Sequence, residues 1–438
     1  MQKTPGKGWH HMLHFVQYMN FAIAVIMTLA YFYQLVYTVI GLVQKRRNYN
    51  LTASAQHKFA AIISARNESA VIGDLIASLK KQNYPAELLD VFVVADNCTD
   101  DTADCARAAG AIVYERWNKT QVGKGYALDY LFHLIERDHA NAGYEGFFVF
   151  DADNLVDPNF VAEMNKTFDK GYEAVTCYRN SKNFAANWIS AGYSIWFLRE
   201  ARFLNFPRML LGTSCAISGT GFMVSAALIR ENGGWPFHLL TEDIEFSANC
   251  ALTGHKIGYC DKAVIYDEQP TSFRQSWDQR LRWSKGFYQV DAKYGLDLAK
   301  GAAVGKKGAM SCYDIFMTIA PGMLLTLLII LFNIIIGFAC MTQPHYVARR
   351  IIREVLHFIG MSALNFYLGL FLYGLLTVIS EWKQIAAAGY HKVIYLFSFP
   401  IFMLTYIPIS VAALVRKVEW KPIRHSSLNS MNALKEAQ

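Results

Sequence analysis

Two acidic motifs and one basic, aromatic motif carry the chemistry that this chain could perform. Asp151-Ala152-Asp153 closes an apolar run, Phe147 to Phe150. Carboxylates at the end of a strand can hold a hard divalent ion, because oxygen ligands suit Mg²⁺ or Mn²⁺ and leave coordination sites for diphosphate oxygens. An acidic triplet alone also occurs on solvated turns, so its weight comes from the two motifs downstream of it. Thr241-Glu242-Asp243 supplies further carboxylates, and Gln279-Arg280-Leu281-Arg282-Trp283 combines cations with an aromatic face. In that order the motifs point to metal-assisted group transfer.

The rest of the chain must bring these motifs together, and it does so at a membrane. Of its 438 residues 53% are hydrophobic and 18% charged, too apolar for a purely soluble protein of this size. The formal charge of +7 suits an anionic surface or an anionic substrate. No zinc-finger spacing or long basic run supports nucleic acid as a partner. The eight cysteines include no C-x-x-C pair, so reduced thiols are expected, without disulfides or structural zinc.

Phe15 to Val43 is long enough for a retained transmembrane helix and is followed by Gln44-Lys45-Arg46-Arg47, which places the next segment in the cytosol. Further spans are expected at Tyr313 to Met341, Val355 to Ser380, and Val393 to Val415, the last containing Pro400 and Pro408. Three spans after a cytosolic segment would leave the C-terminus outside, yet Arg416, Lys417, Lys421 and Arg424 favour the cytosol. Either one stretch lies in the interface or the charge bias is overridden. The expected division is 1–48 as an N-terminal membrane helix, 49–308 as a cytosolic domain with interfacial helices near 270–300, 309–424 as a membrane region of about three spans, and 425–438 as a tail.

Within the cytosolic segment, strands and helices alternate. Strands are expected at Phe59 to Ser64, Leu89 to Ala95, Ala111 to Tyr114 and Gly146 to Phe150. Helices are expected at Asn67 to Lys81, Asp100 to Ala109 with Thr99 as N-cap, and Gly125 to Ile135. Such βαβ alternation implies a mostly parallel sheet with ligands at the carboxyl ends of its strands.

Ser64-Ala65-Arg66-Asn67-Glu68 after the first strand, Asp96-Asn97-Cys98-Thr99-Asp100 after the second, and the three motifs above resemble a family 2 glycosyltransferase of the membrane-integrated, processive type, over about Phe59 to Val290. That group includes cellulose, chitin, hyaluronan and poly-N-acetylglucosamine synthases. The resemblance implies an α/β GT-A (Rossmann-like) domain beside an α-helical transmembrane bundle, a UDP-sugar donor, Mg²⁺ or Mn²⁺, and inversion at the anomeric carbon. Glu68 and Asp96 match the nucleoside contacts, while Arg66 stands where relatives often have an aromatic residue. Lys124, in Gly123-Lys124-Gly125, resembles a lysine that meets the diphosphate; it lacks the glycine spacing and the Ser or Thr of a Walker motif. Asp153 is the expected direct metal ligand, with Asp151 beside it touching donor or metal. Asp243, next to Glu242, is the expected general base, since one carboxylate opposite the leaving group suffices for in-line inversion. Gln279, Arg280 and Arg282 are expected at the donor, where the arginines balance charge on the departing UDP. Trp283 offers a face for an acceptor pyranose, and Gly219-Thr220-Gly221 falls where the family has an acceptor-lining loop.

Other constellations carry less. Trp188, Tyr193, Trp196, Phe197 and Phe203 form a helical aromatic stretch better read as packing than as a sugar track. His10, His11 and His14 read as an interfacial leader, and Arg349 and Arg353, spaced as in cyclic di-GMP receptors, read as interfacial charges. The expected activity is polymerisation of UDP-glucose to a β-glucan at the cytosolic face of the plasma membrane, with export through the chain's own helices. Hyaluronan, chitin and poly-N-acetylglucosamine synthesis are alternatives, as is, in another class, a non-processive glycolipid transferase or a non-catalytic transporter. For export, Asn333, Asn365, Tyr367, Tyr373, Tyr395 and Tyr406 are the candidates to line a path.

Overall fold

The computed structural model describes residues 7–44, 52–305, 308–319, 321–340 and 345–418. Lys421, Arg424 and the tail lie outside the described residues, as do the side chains of His10 and His11.

Among the described residues eight strands form one sheet: β1 (Phe59–Ala65), β2 (Leu89–Asp96), β3 (Ile112–Arg116), β4 (Gly146–Asp151), β5 (Leu155–Val156), β6 (Ala174–Ser181), β7 (Phe222–Ser225) and β8 (Ile257–Asp267). Their order is β3-β2-β1-β4-β7-β6-β8-β5. β1 pairs in parallel with both β2 and β4, and β2 with β3, so Ala65, Asp96 and Asp151 all end at one edge. The expected parallel sheet is therefore present at its centre. It becomes mixed beyond β4, because β7 and β5 run antiparallel to their neighbours.

Apolar residues cover both faces, as a parallel centre requires. On one face the helix Ile72–Lys80 buries Ile72, Leu75, Ile76 and Leu79, the i, i+3, i+4, i+7 stripe of an amphipathic helix. On the other, the helix Lys124–Asp138 packs Leu128, Leu131 and Ile135 with Trp235 and Phe246.

Two expected helix starts shift, for the same local reason. Asn67 is left-handed (φ 59°), and its side chain accepts the Thr99 N–H at 2.7 Å, so the helix expected from Asn67 begins at Ile72. Thr99 thus caps nothing. The next helix starts at Thr102, whose N–H donates to the Asp100 carboxylate at 3.2 Å.

Among the described residues three helices are long and apolar enough to cross a membrane: His14–Val43, Ala348–Ser380 and Gly389–Val415. The stretch expected as one span from Tyr313 is two helices, Ala309–Ile319 and Pro321–Cys340. Proline cannot donate to the preceding turn, and Asp314 is drawn out of lipid altogether. It is fully buried, accepting 2.7 Å bonds from Arg208 Nε and Nη2 and a 3.0 Å bond from Tyr37. Asn20 and Asn333 exchange hydrogen bonds at 3.1 Å, and Thr38 reaches Tyr373 at 3.3 Å. The last apolar stretch breaks at Thr405 and touches the sheet-bearing part along its length. Tyr395 bonds to Ala185 O, Tyr288 to Ser410 O and Lys285 to Ala413 O.

Candidate active site

At the carboxyl edge of β1, β2 and β4 lies a cavity of about 960 Å³. It is lined by Arg66, Glu68, Asp96, Lys124, Asp151, Asp153, Gly219, Glu242, Asp243, Gln279, Arg282 and Trp283, so twelve of the fifteen residues singled out from the sequence converge there.

The turn after β4 is braced from beneath. Thr220 Oγ1 accepts the Asp151 N–H at 2.9 Å and bonds to Asn154, which donates to Asp153 at 3.3 Å. Thr220 and Gly221 therefore support the acidic turn and do not line the cavity, contrary to the expectation of an acceptor loop. Gly219 of the same loop does line it. Its φ of 82° is a glycine conformation, and a Cβ there would lie 3.9 Å from Asp243 Oδ2 and 4.0 Å from Asp151 Oδ2. Both carboxylates therefore lie within ordinary contact distance of this one position, and it is the left-handed backbone, not a clash, that selects glycine there.

Lys124, first residue of its helix, bonds to Asp151 Oδ1 at 2.5 Å and Gly219 O at 2.6 Å, with Glu242 3.9 Å away. Burial works against its charge, but Asp151, Glu242 and Asp243 more than offset this and hold its pKa above the ordinary lysine value. Burial also pushes the Asp243 carboxyl up and Glu242 to about 7. A carboxylate so placed is a stronger base than one in water. Glu68 is pushed to about 9 by burial and by the charges of Asp153, Asp151, Asp100 and Glu268. Crowded hard-oxygen ligands of this kind fit a divalent cation, which would relieve their repulsion.

Asp96 is buried and accepts from Arg116 Nη1 at 2.6 Å and Asn97 Nδ2 at 3.0 Å. Gln279, Arg282 and Trp283 lie on the helix Phe273–Ala303 at i, i+3 and i+4, one face, and all three line the cavity. Arg280 falls on another face. It is fully buried and donates from Nη1 to Phe402 O at 3.0 Å and Thr405 Oγ1 at 2.6 Å, among the rings of Tyr193, Phe402 and Tyr406. The expected donor contact is corrected accordingly: helix phase turns this guanidinium to the break in the last apolar stretch.

The aromatic stretch divides likewise. Tyr193 and Phe203 are packing residues, whereas Trp196 and Phe197 reach the cavity, and Trp283 meets Tyr193 and Phe197 edge-on. Arg179, at the end of β6, was not singled out from the sequence. It lines the cavity, held by Asp267 at 2.6 Å, by Ser218 O at 2.7 Å and over the Phe197 ring. Its only local signal was a cation in an apolar strand.

Residues 56–286 match the model of the family described as "Glycosyltransferase like family 2". The chain belongs to that family. Among curated relatives of this glycosyltransferase, a beta-monoglucosyldiacylglycerol synthase from Synechocystis is 27% identical over 52% of this chain and 47% of its own length. A poly-beta-1,6-N-acetyl-D-glucosamine synthase from Staphylococcus epidermidis is 22% identical over 58% and 63%. The chain thus spans about half to under two thirds of the length of these relatives. A mannosyltransferase from Pyrobaculum calidifontis, solved with GDP-Man and Mn²⁺, superposes with a TM-score of 0.54 at 15% identity, covering 90% of this chain and 98% of that one. The shared fold is GT-A.

Proposed function

We propose that this glycosyltransferase moves a sugar from a UDP-sugar to an acceptor hydroxyl at the cytosolic membrane surface, with inversion. The observation that carries the reading is the convergence of Asp151 and Asp243 beside Gly219, in the cavity that Lys124, Arg282 and Trp283 also line. Glu68 and Asp96 are suited to the nucleoside, and Arg66 covers the place of a stacking aromatic. Lys124 and Arg282 face the diphosphate with fixed charge. Asp243 takes the acceptor proton, while Glu242 beside it tunes that carboxylate. Asp153 and Asp151 would hold Mg²⁺ or Mn²⁺, which neutralises charge on the leaving diphosphate.

The contacts support a membrane topology that removes the charge conflict in the sequence. Asn20–Asn333 and Thr38–Tyr373 tie three helices, Lys7–Val43, Pro321–Cys340 and His345–Ser380, into an up-and-down set. On this reading Pro321–Cys340 crosses with the other two, and Gly389–Val415, although itself long and apolar enough to cross, lies along the interface instead, where its bonds to the catalytic part from Tyr395 to Ala413 would hold it and leave Arg416 and Lys417 cytosolic.

Polymer extension with export is one reading of the acceptor, supported by Trp283 in the cavity and by the motif it ends. Asn333, Tyr373 and Tyr406 line the cavity as that reading asks; Asn365, Tyr367 and Tyr395 do not. A second reading, a glycolipid product, is favoured by the aliphatic wall of the cavity where it enters the helices, and by three crossing helices being few for a polysaccharide tunnel. Purified protein given Mg²⁺ or Mn²⁺ and labelled UDP-glucose, UDP-N-acetylglucosamine or GDP-mannose separately should turn over one UDP-sugar. Solvent extraction and linkage-specific glycosidases then separate lipid from polymer. Turnover of GDP-mannose alone, or turnover in excess chelator, overturns the donor or metal assignment.

A further inference from the structure

One arginine of the cavity wall has no counter-charge. Arg199 stands at the end of the helix Trp188–Glu200 and lines the cavity, 8% exposed. Two other arginines follow it closely in the chain, and both meet an acid: Arg208 bonds to Asp314, and Arg202 lies 3.8 Å from Glu381. Arg199 instead donates from Nη2 to an amide, Gln34 Oε1, at 2.9 Å, and lies over the rings of Trp196 and Tyr373 at 4.9 and 5.2 Å. Among the described residues no carboxylate pairs with it, and neighbouring Glu200 accepts from Ser218 Oγ. Burial therefore draws its pKa below the ordinary arginine value, with Tyr373, Glu200 and Tyr33 offsetting this only in part, whereas at Arg208 the same burial is outweighed by Asp314. A desolvated cation is costly until an anion joins it. Directly after Arg199 and Glu200 the helix widens into a π turn, Ala201–Asn205, a rare form that gathers at functional sites.

The N-terminal helix fixes the depth of this arginine. The span His14–Val43 has 30 residues, about 45 Å at 1.5 Å per residue, against a hydrocarbon core about 30 Å thick. About ten residues therefore stand outside the hydrocarbon, and the contacts of the helix show which. Gln34 meets Arg199, Tyr37 meets Asp314, Thr38 meets Tyr373, and Gly41 packs so closely that a Cβ would lie 2.6 Å from Phe203. The boundary thus falls near Gln34, at the level of the lipid phosphates in the leaflet beside the catalytic part. Away from that boundary the cavity continues between the membrane helices past Met27, Ile330 and Phe366, of which Ile330 and Phe366 are 36% and 47% exposed. The groove is open at its side, so a lipid enters it without leaving the bilayer.

We propose that Arg199 anchors the headgroup of one anionic phospholipid, whose phosphate pairs with the guanidinium beside Trp196 and Tyr373 and whose chains lie in the open groove. This lipid is a bound partner and not a substrate, so the site stands whether the acceptor is a polymer or a lipid. A net negative charge is required, because a zwitterionic head brings its own cation and leaves the charge of Arg199 unbalanced. The guanidinium fork matches two phosphate oxygens, and the donors that Gln34 does not engage are available for them. Lys124 and Arg282 are the cations assigned to the donor diphosphate, which leaves Arg199 to the membrane side of the cavity.

The test uses the full chain in a neutral detergent, with phosphatidylglycerol and phosphatidylcholine of equal chains as probes and bound lipid counted by native mass spectrometry. One phosphatidylglycerol should bind saturably, about tenfold or more tighter than phosphatidylcholine, and raise the melting temperature. Because the pair is buried, the preference should persist at about 0.5 M NaCl. Arg199→Gln should remove the preference while phosphatidylcholine binding and the calorimetric Kd of UDP stay unchanged. Arg199→Lys keeps the charge without the fork and should retain part of the preference, which provides a reading even where the glutamine variant does not fold. Changing Lys45, Arg46 and Arg47 together to Gln should leave the preference in place. A preference that survives Arg199→Gln, or that disappears with salt or with the Lys45 to Arg47 change, marks general surface attraction and overturns the proposal. Phosphatidylcholine bound as tightly as phosphatidylglycerol overturns the requirement for net charge, and glycerol 3-phosphate bound as tightly as the lipid makes a free phosphate ester the occupant instead.

Discussion

Replacing Arg280 by methionine separates two roles that the motif alone merges. If the guanidinium served the diphosphate, its loss would weaken UDP binding. The structure places it instead against Phe402 O at 3.0 Å and Thr405 Oγ1 at 2.6 Å, over three aromatic rings. Hydrogen bonds from a charged donor contribute about 1.5–3 kcal/mol each, and a desolvated cation over a ring about 2 kcal/mol. Against this stands the burial of the charge, which methionine avoids. Thr405 Oγ1 also donates to Phe402 O at 2.6 Å, so that carbonyl is not orphaned by the change. A net loss of about 2–4 kcal/mol follows, placed between the catalytic helix and the last apolar stretch. Thermal unfolding in detergent should therefore shift clearly downward, acceptor kcat/KM should fall, and the Kd of UDP by calorimetry should change less than about twofold. Arg280→Lys keeps the charge but not the fork, and should recover only part of the loss. A fall in UDP affinity of about tenfold or more with an unchanged melting temperature would refute the reasoning and return Arg280 to the donor.

Asp243→Asn should lower kcat by about two to four orders of magnitude with UDP affinity kept, whereas an equal loss of binding would move Asp243 into the nucleotide site. Asp153→Asn should abolish metal-dependent turnover without altering the circular dichroism of the fold, and wild-type rates for this variant would exclude it as a ligand. Gly219→Ala adds a methyl beside Asp151 and Asp243 at a φ of 82°, which strains the loop that holds them; kcat should fall about a hundredfold, and donor turnover near the wild-type rate would show that this loop does not set the position of the reacting groups. At His255, burial lowers the pKa, but Glu173 and Glu231 outweigh it and leave the value raised. The stability this adds is complete below the unfolded histidine pKa and is lost as pH rises through the folded one, so melting curves of wild type and His255→Gln should converge at alkaline pH and part on acidification.

What the sequence shows depends on how local the cause is. β1, β2 and β4 were legible because apolar runs of strand length need no partner to be recognised, and Glu68, Asp96, Asp151 and Asp153 follow from where those strands end. The difference between Arg280 and Arg282 was also present, since residues two apart on a helix point about 200° from each other. Taking the motif as a unit hid it. Hydropathy alone could not see that Asp314 would be drawn to Arg208, which stands far away in sequence, or that the stretch after Gly389 would find an aromatic and hydrogen-bonding bed on the catalytic part. Both cases have one physical origin. A membrane-length apolar segment has a choice between lipid and protein, and the choice is made by buried partners such as Arg208 and Arg280 that no window of consecutive residues contains. The same holds for the cavity wall: Arg179, Thr241 and Ser284 become site residues only when β6, the acidic loop and the Phe273–Ala303 helix meet, so chemistry carried by one element is readable beforehand and chemistry shared among three is not.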